Sequence, residues 1–544
     1  MIRFGHLLDA RRSAAWTMIV TCGAVALVVA AMAALYTALP AIALDTGADQ
    51  NALTWIVDGY TLVLACLVLP GGAIGDRYGR RRVLTAGLAV FAVASVVPVL
   101  VDAPIWLMLS RAVAGAGAAF VMPATLSLLT ANLPVDKREY AVGVWAGVAG
   151  SGGVIGMVGS GLLLTRWSWH SIFVGLTVVA LLLLVLGLTV PDSQDTECPR
   201  LEVRGMFLVV LAIGTTVFAV MEAPTRGWTD GWVFAMGATG AMSVVAFIVT
   251  ELRVEHPLLD VRLFRRRGFS SGALSITIQF LVTFGVMFLL VQHFQLILGF
   301  TPLHSALALA PMVAPLIVMS LVSPMIAAWL GLRVTTTTGL LTIAVGLLAL
   351  QRLDTGSSYL DVLWPLLIMS AGLGMSAAPA TNAIMLDTPL EKHGVSAAVN
   401  DATREIGAAV GVAVAGSILS ANYTSKIAEV LPRLPEPARD PVRSSLAGAL
   451  EVAERAGAAG EPLAEYAKAA FWDGVEHSAF ALAVISLAGA LILIPLSPGR
   501  TVDEGHKVSC VRRGRRNRLR RLRLTRGARR KRLESMPTIE PAQR

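Results

Sequence analysis

Charged residues are scarce in this sequence. Only 15% of its 544 residues are Asp, Glu, Lys or Arg, whereas 55% are hydrophobic. Soluble domains carry about 25% charged residues, so the composition excludes an ordinary soluble protein. It predicts an integral membrane protein.

The sequence also lacks short motifs of common catalytic and metal sites. It contains no Gly-Lys dipeptide, which excludes the G-x-x-x-x-G-K-[ST] nucleotide loop, and it contains no H-E-x-x-H or C-x-x-C motif. Its eight histidines are scattered, and its four cysteines do not form a disulfide framework. We therefore expect no enzyme, no metal site and no bound cofactor. Any transport must draw on an ion gradient or a partner rather than on ATP bound here.

Apolar stretches that are long enough to cross a bilayer recur along the whole chain. A helix of about 20 apolar residues spans the hydrocarbon core. Fourteen stretches approach or exceed this length: residues 15–39, 53–74, 83–101, 105–130, 141–164, 170–190, 205–223, 231–250, 270–298, 305–329, 334–350, 360–386, 396–420 and 478–497. This pattern predicts an all-α membrane protein with fourteen transmembrane helices.

Basic residues orient the protein in the membrane. They concentrate in alternate connections, at residues 11–12, 77–82, 137–138, 200–204, 262–267, 333 and 392. Because Lys and Arg concentrate in cytoplasmic loops, we expect both termini in the cytoplasm. The first apolar stretch exceeds the core of a signal peptide, which has about 7–15 residues, so we expect it to be retained as a helix.

The net charge of +9 comes from the carboxyl-terminal tail. Residues 499–544 contain 16 Lys or Arg but only 4 Asp or Glu. A basic segment beside a cytoplasmic helix end attracts anionic lipid. We expect a disordered tail that contacts anionic lipid, and no nucleic-acid partner.

A turn rich in glycine and arginine separates the second and third apolar stretches. It reads Gly72-Ala73-Ile74-Gly75-Asp76-Arg77-Tyr78-Gly79-Arg80-Arg81-Arg82. An ordinary positive anchor needs the arginines but neither these glycines nor the aspartate. The turn resembles the G-x-L-x-D-R-x-G-R-R/K segment of major facilitator superfamily transporters. The resemblance implies that this turn is a conformational switch, in which Asp76 meets a neighbouring helix end and arginines. The residues of the switch are Gly72, Gly75, Asp76, Arg77, Gly79, Arg80 and Arg81.

Other segments resemble the drug:proton antiporter family with fourteen spans. Residues 55–62 resemble its W-V-x-x-x-Y-x-L motif, residues 111–117 its R-x-x-Q-G-x-G motif, and residues 394–407 the entry to its thirteenth helix. The resemblance implies a major facilitator fold, with two six-helix bundles and two additional central helices. The expected units are residues 1–190, the linker helices at 191–269, residues 270–498 with an external loop at 421–476, and the tail 499–544.

Several positions depart from the antiporter pattern. Ala114 replaces the glutamine of the R-x-x-Q-G-x-G motif, and Ser160 replaces one glycine of the fifth-helix motif. The acidic residue that is common in the family's first helix falls at Ala31, and the asparagine near it falls at Tyr36. The proline of the fifth-helix G-P-x-x-G-G motif falls at Met157. These departures weaken the inference of proton antiport more than they weaken the inference of the fold.

Ionisable residues within the spans are functional candidates, because each costs at least about 2.5–3.5 kcal/mol to insert. At ~1.5 Å per helical residue, Asp58 and Arg111 lie about 8–9 Å from the outer end of their spans. They could pair directly or through water. Either they form a permanent structural ion pair, or Asp58 carries a proton while Arg111 tunes its pKa. His293 is a third candidate for proton coupling, with hydrogen-bonded packing as its alternative role.

A second charged group opens the expected thirteenth helix at its cytoplasmic end. It consists of Asp401, Arg404 and Glu405, and the spacing of three residues permits a local pair between Asp401 and Arg404. The trio is a candidate inner gate. Helix position alone suggests five residues for a substrate cavity, although lipid-facing packing explains them equally well: Met32, Tyr36, Trp145, Phe284 and Met287.

The sequence therefore predicts a secondary active efflux transporter of the plasma membrane. It would export hydrophobic or amphipathic small molecules by alternating access, in exchange for protons. One alternative is an exporter of a specific metabolite or lipid with different or no ion coupling. Another is a membrane sensor or scaffold that does not transport and signals through its basic tail.

Overall fold

The computed structural model describes residues 2–46, 50–193, 201–255, 257–353, 357–388 and 392–499. Every regular element within these ranges is helical. The α-helices are α1 (Ile2–Ala33), α2 (Leu39–Thr46), α3 (Gln50–Tyr78), α4 (Arg80–Leu100), α5 (Pro104–Asn132), α6 (Val135–Leu164), α7 (His170–Gly187), α8 (Val203–Arg226), α9 (Gly231–Arg253), α10 (Arg267–Gln292), α11 (Pro302–Leu309), α12 (Val313–Leu330), α13 (Leu332–Leu350), α14 (Tyr359–Leu386), α15 (His393–Ile427), α16 (Glu436–Ser444), α17 (Leu446–Arg455) and α18 (Glu461–Leu496). A π-helical segment, His293–Ile297, continues α10.

Fourteen spans in the described ranges are long and apolar enough to cross a membrane, which confirms the predicted number. They are α1, α3 to α10, α11 together with α12, α13, α14, α15 and α18. Their outer faces expose large apolar side chains such as Val93, Val245 and Leu491. Lipid tails accept such surface without the free-energy cost that water imposes.

The spans pack as two groups that meet along two seams. In the first group α5 packs against α3 and α4, α1 packs against α6, and α4 packs against α7. In the second group α10 packs against α15, while α14 contacts both α12 and α13, and α18 contacts α13 and α15. One seam joins α3 to α15, and the other joins α6 to α12. We call these groups the first half and the second half.

Helices α8 and α9 lie outside both halves. They pack against each other, and α8 also contacts α3 and α15. The strongest contacts of α9 are those with α8. Helix α8 therefore lies over the α3–α15 seam, with α9 on its far side.

Glycine allows α6 to approach both of its neighbours closely. A Cβ atom at Gly156 would lie 2.2 Å from the carbonyl oxygen of Ala30 in α1, and one at Gly143 would lie 2.6 Å from that of Ser320 in α12. Such small residues permit backbone-to-backbone packing in membranes. With Met157 at the position where the family resemblance places a proline, α6 is a continuous helix from Val135 to Leu164.

Helices α15 and α18 are longer than a bilayer requires. They contain 35 and 36 residues, respectively, which corresponds to about 50 Å each at ~1.5 Å per residue. Their extended ends are joined by α16 and α17, and Tyr423 Oη donates a hydrogen bond to the carbonyl oxygen of Val442 at 2.9 Å. Lys426 Nζ forms an ion pair with Asp473 at 2.6 Å. Within the segment 421–476, residues 421–427 and 461–476 therefore continue the last two spans, and α16 and α17 connect them.

Candidate functional site

Asp76 connects the end of α3 to the start of α15. Its Oδ1 atom accepts a hydrogen bond from the backbone nitrogen of Gly394 at 2.9 Å, and its Oδ2 atom accepts one from that of Val395 at 3.0 Å. Arg80 donates to Oδ1 from Nε at 2.9 Å and from Nη2 at 2.7 Å. A carboxylate is favourable at a helix N-terminus because the free N–H groups there carry partial positive charge. Asp76 thus joins the first half to the second half at this side of the protein.

The α3 and α15 backbones touch directly beside Asp76. A Cβ atom at Gly72 would lie 2.4 Å from the carbonyl oxygen of Gly394, and a Cβ atom at Gly394 would lie 2.5 Å from that of Gly72. Gly75 has more space, since its nearest neighbouring atoms lie 4.0 Å from a Cβ at that position. The contact between the halves therefore requires glycine at position 72 but not at position 75.

The turn between α3 and α4 consists of a single residue. Gly79 has a φ angle of +103°, a conformation that residues with a Cβ atom rarely adopt. Before this turn, the guanidinium of Arg77 lies 5.4 Å from the centroid of the Tyr78 ring. The arginine-rich segment is thus two helix ends and one glycine rather than an extended loop.

The start of α4 is fixed to the segment that follows α7. The Arg80 backbone nitrogen donates to the carbonyl oxygen of Ser193 at 3.0 Å. The Arg81 backbone nitrogen donates to Asp192 Oδ1 at 2.9 Å. These contacts lie within the first half, so they hold Arg80 in position to meet Asp76.

A second polar contact joins the halves next to Asp76, and the sequence reasoning missed it. His393 Nδ1 lies 3.0 Å from Thr130 Oγ1 of α5, and both side chains are buried. The only sequence signal is that His393 directly precedes the Gly394 motif. This side of the protein is therefore closed by at least two polar contacts between the halves.

A cavity lies between the halves, bounded by α1, α3, α8, α10 and α15. It contains about 780 Å³ of empty space, including the part that is open to solvent. The lining consists of fourteen residues: Met32, Ala33, Tyr36, Asp58, Thr61, Ala65, Val217, Met221, Phe284, Glu405, Ala408, Ala409, Val412 and Ala413. Of the five residues suggested for a cavity, the structure places Met32, Tyr36 and Phe284 here.

Two carboxylates face this cavity from opposite halves. Asp58 belongs to α3 and Glu405 belongs to α15, while none of the other lining residues is charged. The expectation that Glu405 lies at the start of its helix is wrong. Because α15 begins at His393, Glu405 lies about 18 Å along the helix at ~1.5 Å per residue. Glu405 is therefore a cavity residue.

Asp401 and Arg404 also lie well inside α15 and are almost completely buried. The Arg404 guanidinium lies 4.7 Å from the centroid of the Trp145 indole and 5.0 Å from that of the Phe280 ring. The local pair that the spacing permits is absent among the described ion pairs, and Asp401 Oδ2 and Arg404 Nε have no hydrogen-bond partner in that part of the chain. The aromatic faces, which attract cations, hold the guanidinium instead.

Two of the suggested cavity residues lie elsewhere. Trp145 is buried, donates from Nε1 to Thr125 Oγ1 at 3.1 Å, and is covered by the Arg404 guanidinium. Met287 packs against the hydrophobic core of the second half. Helix position alone does not define which face of a helix reaches the cavity.

His293 lies apart from the cavity, in the π-helical segment after α10. Its ring is buried and lies 4.8 Å, centroid to centroid, from the ring of Trp472. Neither ring nitrogen has a hydrogen-bond partner in the described part of the chain, so the expected hydrogen-bonded packing is wrong. Its role in proton coupling stays a prediction.

Arg111 binds the backbone rather than Asp58. Its Nε atom donates to the carbonyl oxygen of Ile56 at 3.1 Å, and its Nη2 atom donates to that of Ala31 at 3.0 Å. The guanidinium carbon lies 4.3 Å from the centroid of the Tyr60 ring. Ala31, the position where the family resemblance places an acid, therefore contacts Arg111 through its backbone carbonyl oxygen. A direct pair with Asp58, one of the two arrangements that the sequence left open, is absent among the described ion pairs.

We expect Arg111→Lys to lower thermal stability more than Asp58→Asn does. Lysine cannot reproduce a planar guanidinium that binds two carbonyls and lies on the Tyr60 ring. Each hydrogen bond to a charged group contributes about 1.5–3 kcal/mol, so the loss should reach a few kcal/mol. Melting temperatures of the purified variants test this expectation. A melting temperature for Arg111→Lys equal to that of the wild type would contradict the structural role.

Sequence comparisons match this chain to known membrane proteins. The family model described as Major Facilitator Superfamily matches residues 21–412. The chain is 32% identical over 403 residues to the multidrug resistance protein Stp of Mycobacterium tuberculosis, covering 74% of this chain and 75% of that protein. It is 32% identical over 402 residues to the methyl viologen resistance protein SmvA of Salmonella typhimurium, covering 72% of this chain and 80% of that protein. It is 31% identical over 459 residues to the multidrug efflux pump LfrA of Mycolicibacterium smegmatis, covering 84% of this chain and 91% of that protein.

Solved structures share the fold at low sequence identity. The proton:xylose symporter XylE superposes with a TM-score of 0.55 and 15% identity, over 90% of this chain and 97% of that chain. The human organic anion transporter MFSD10 superposes with a TM-score of 0.57 and 14% identity, over 88% of this chain and 99% of that chain. These similarities concern the fold alone.

Proposed function

This chain belongs to the major facilitator superfamily, and from that premise we propose that it exports amphipathic cations in exchange for protons. It is a secondary active efflux transporter of hydrophobic or amphipathic small molecules, and its relatives are named for multidrug resistance, methyl viologen resistance and multidrug efflux. The proposal adds the charge of the substrate and the coupling ion.

The observation that carries the proposal is the pair of cavity carboxylates. Asp58 and Glu405 are the only charged residues in the lining, and apolar side chains surround them. A carboxylate in an apolar site is favourable only when a cation pairs with it or a proton neutralises it, because an isolated buried charge is costly. Tyr36 and Phe284 add aromatic faces, which attract cations as well as flat apolar groups. A substrate that is both apolar and positively charged satisfies both features.

The same carboxylates explain an exchange with protons. Each can be neutralised by a substrate cation or by a proton, and the apolar surroundings disfavour a state with neither. The carboxylates therefore take up protons on one side of the membrane and release them on the other side, where the substrate cation binds. With Ala31 at the position of the family's first-helix acid, we assign this role to Asp58 and Glu405 rather than to Arg111 or His293.

Alternating access requires a closure that can open, and we assign that role to the Asp76 contact. The positive-inside pattern puts segment 72–82 and both termini in the cytoplasm of a plasma-membrane protein. With that orientation, the Asp76–Gly394 and His393–Thr130 contacts close the cytoplasmic side. The two halves would be the six-helix bundles 1–190 and 270–498, with the linker pair at 191–269. The basic tail, proposed to contact anionic lipid, lies outside the described residues from Arg500 onwards.

Transport in proteoliposomes tests the proposed function. We expect vesicles with an acidic lumen to accumulate the dication methyl viologen while protons leave the lumen. The neutral parent compound 4,4′-bipyridine has nearly the same shape and should produce neither signal. Equal accumulation of methyl viologen and 4,4′-bipyridine, with equal proton movement, would contradict the proposed preference for cations. Accumulation of methyl viologen without proton movement would support an exporter with different or no ion coupling instead.

A further inference from the structure

Helix α8 forms part of the cavity wall, although its place in the sequence is that of a linker between the halves. Val217 and Met221 lie one helical turn apart on α8, and both line the cavity. The spacing of four residues puts them on the same face of the helix. This face points inwards, towards the two carboxylates of the cavity.

Helix α8 is held against the first half by close side-chain contacts. The rings of Phe218 and Trp55 lie 5.7 Å apart, centroid to centroid. At Gly214, an added Cβ atom would lie 3.0 Å from the Sγ atom of Cys66. The middle of α8 therefore packs directly on α3.

The connection after α8 is held against the second half. Trp228 Nε1 donates a hydrogen bond to Ser417 Oγ of α15 at 2.9 Å. Together with the α3 contacts, this bond places α8 across the seam where α3 and α15 meet. The cavity is thus closed on that side by α8, which a transporter of twelve spans would lack.

We propose that α8 is a wall of the substrate site and that Met221, supported by Val217, sets the size of the cation that the site accepts. This inference rests on the proposed function, because it concerns the substrates of the same cavity. Methionine is unbranched and polarisable, so it adapts its shape to different flat or bulky apolar groups. A residue of fixed shape at position 221 would narrow the range of substrates.

The test compares two cations of different bulk, methyl viologen and tetraphenylphosphonium, in proteoliposomes. Met221→Trp fills part of the cavity, so we expect it to lower kcat/KM for tetraphenylphosphonium relative to methyl viologen at least tenfold. Met221→Ala enlarges the cavity and should raise the same ratio about threefold or more. Met242 on α9 is 65% exposed on the outer face of the linker pair. Met242→Trp and Met242→Ala are therefore the matched controls and should leave the ratio unchanged.

If Met221→Trp does not fold, Met221→Ala still tests the proposal. The alanine variant only removes atoms, so it introduces no steric clash that would prevent folding. If both folded variants keep the wild-type ratio, or if the Met242 variants change it equally, α8 is not a wall that selects substrates. Failure of the proposed function would look different, since the wild-type protein would then transport neither cation in exchange for protons.

Discussion

Replacing Asp58 with asparagine will reduce the export of methyl viologen about thirtyfold or more. The variant keeps the size of the side chain but removes one of the two charges that face the cavity. Asp58 and the bound cation would form a buried charge pair, and removing one partner of such a pair typically costs about 2–5 kcal/mol. A loss of about 2 kcal/mol corresponds to a factor of about thirty in kcat/KM. Glu405→Gln should act in the same direction, because Glu405 faces the same cavity from the second half.

The matched control for Asp58→Asn is Asp102→Asn. Asp102 is exposed and pairs with His170 at 2.7 Å, away from the cavity. Its substitution should leave transport within about twofold of the wild type, since exposed pairs contribute only about 0–1 kcal/mol. If Asp58→Asn transports methyl viologen as fast as Asp102→Asn does, the cavity carboxylate does not bind the cation.

Gly72→Ala will reduce transport at least tenfold, whereas Gly75→Ala will have little effect. The alanine methyl group at position 72 would meet the carbonyl oxygen of Gly394 at 2.4 Å, while at position 75 the nearest atoms lie at 4.0 Å. Overpacking typically costs about 1–3 kcal/mol. Here the cost falls only on the conformation in which α3 and α15 touch at this end. About 1.4 kcal/mol is enough to change the population of that conformation tenfold.

Chemical labelling separates a shift of conformation from a loss of folding. Thr130 is buried beside His393 in the closed contact, so a cysteine at position 130 should react slowly with a hydrophilic maleimide. Labelling at this position, quantified by mass spectrometry, should be faster in the Gly72→Ala background and unchanged in the Gly75→Ala background. Unchanged labelling in Gly72→Ala would contradict the role of the contact as a closure.

The sequence predicted the spans well because their signal is local. Length and apolar composition decide whether a segment can cross a bilayer, and both are read directly from the chain. The turn at Gly79 was also predictable from its spacing and glycine content. The family resemblance implied that Asp76 meets a neighbouring helix end, but nothing in the sequence identified that end as Gly394, which lies 318 residues away along the chain.

The direct charged pairs that the sequence permitted do not form among the described residues, for a common physical reason. Counting residues from the end of a span gives the depth of a side chain, but it does not give the rotation of the helix about its axis. Asp58 and Arg111 were assigned similar depths, yet Arg111 faces the carbonyl oxygens of Ile56 and Ala31. Asp401 and Arg404 are three residues apart on one helix, yet two aromatic rings hold the guanidinium.

The position of Glu405 depended on where α15 begins. The sequence prediction placed the span at residues 396–420, with Asp401, Arg404 and Glu405 at its cytoplasmic opening. The helix begins at His393 instead, and Asp76 from the other half accepts hydrogen bonds from its first free N–H groups. That contact is not visible in the sequence of α15 alone. The contribution of α8 to the cavity was missed for the same reason, because it depends on packing between distant segments.

Proton release on binding tests the central claim, that one set of cavity carboxylates binds either protons or a cation. Methyl viologen is added to the purified protein in a weakly buffered detergent solution near neutral pH, and the change in pH is recorded together with binding. We predict that the wild-type protein releases protons as it binds the cation, that Asp58→Asn releases fewer, and that the double variant Asp58→Asn with Glu405→Gln releases none. Binding of methyl viologen to the wild-type protein without proton release, or an undiminished release from the double variant, would contradict the account.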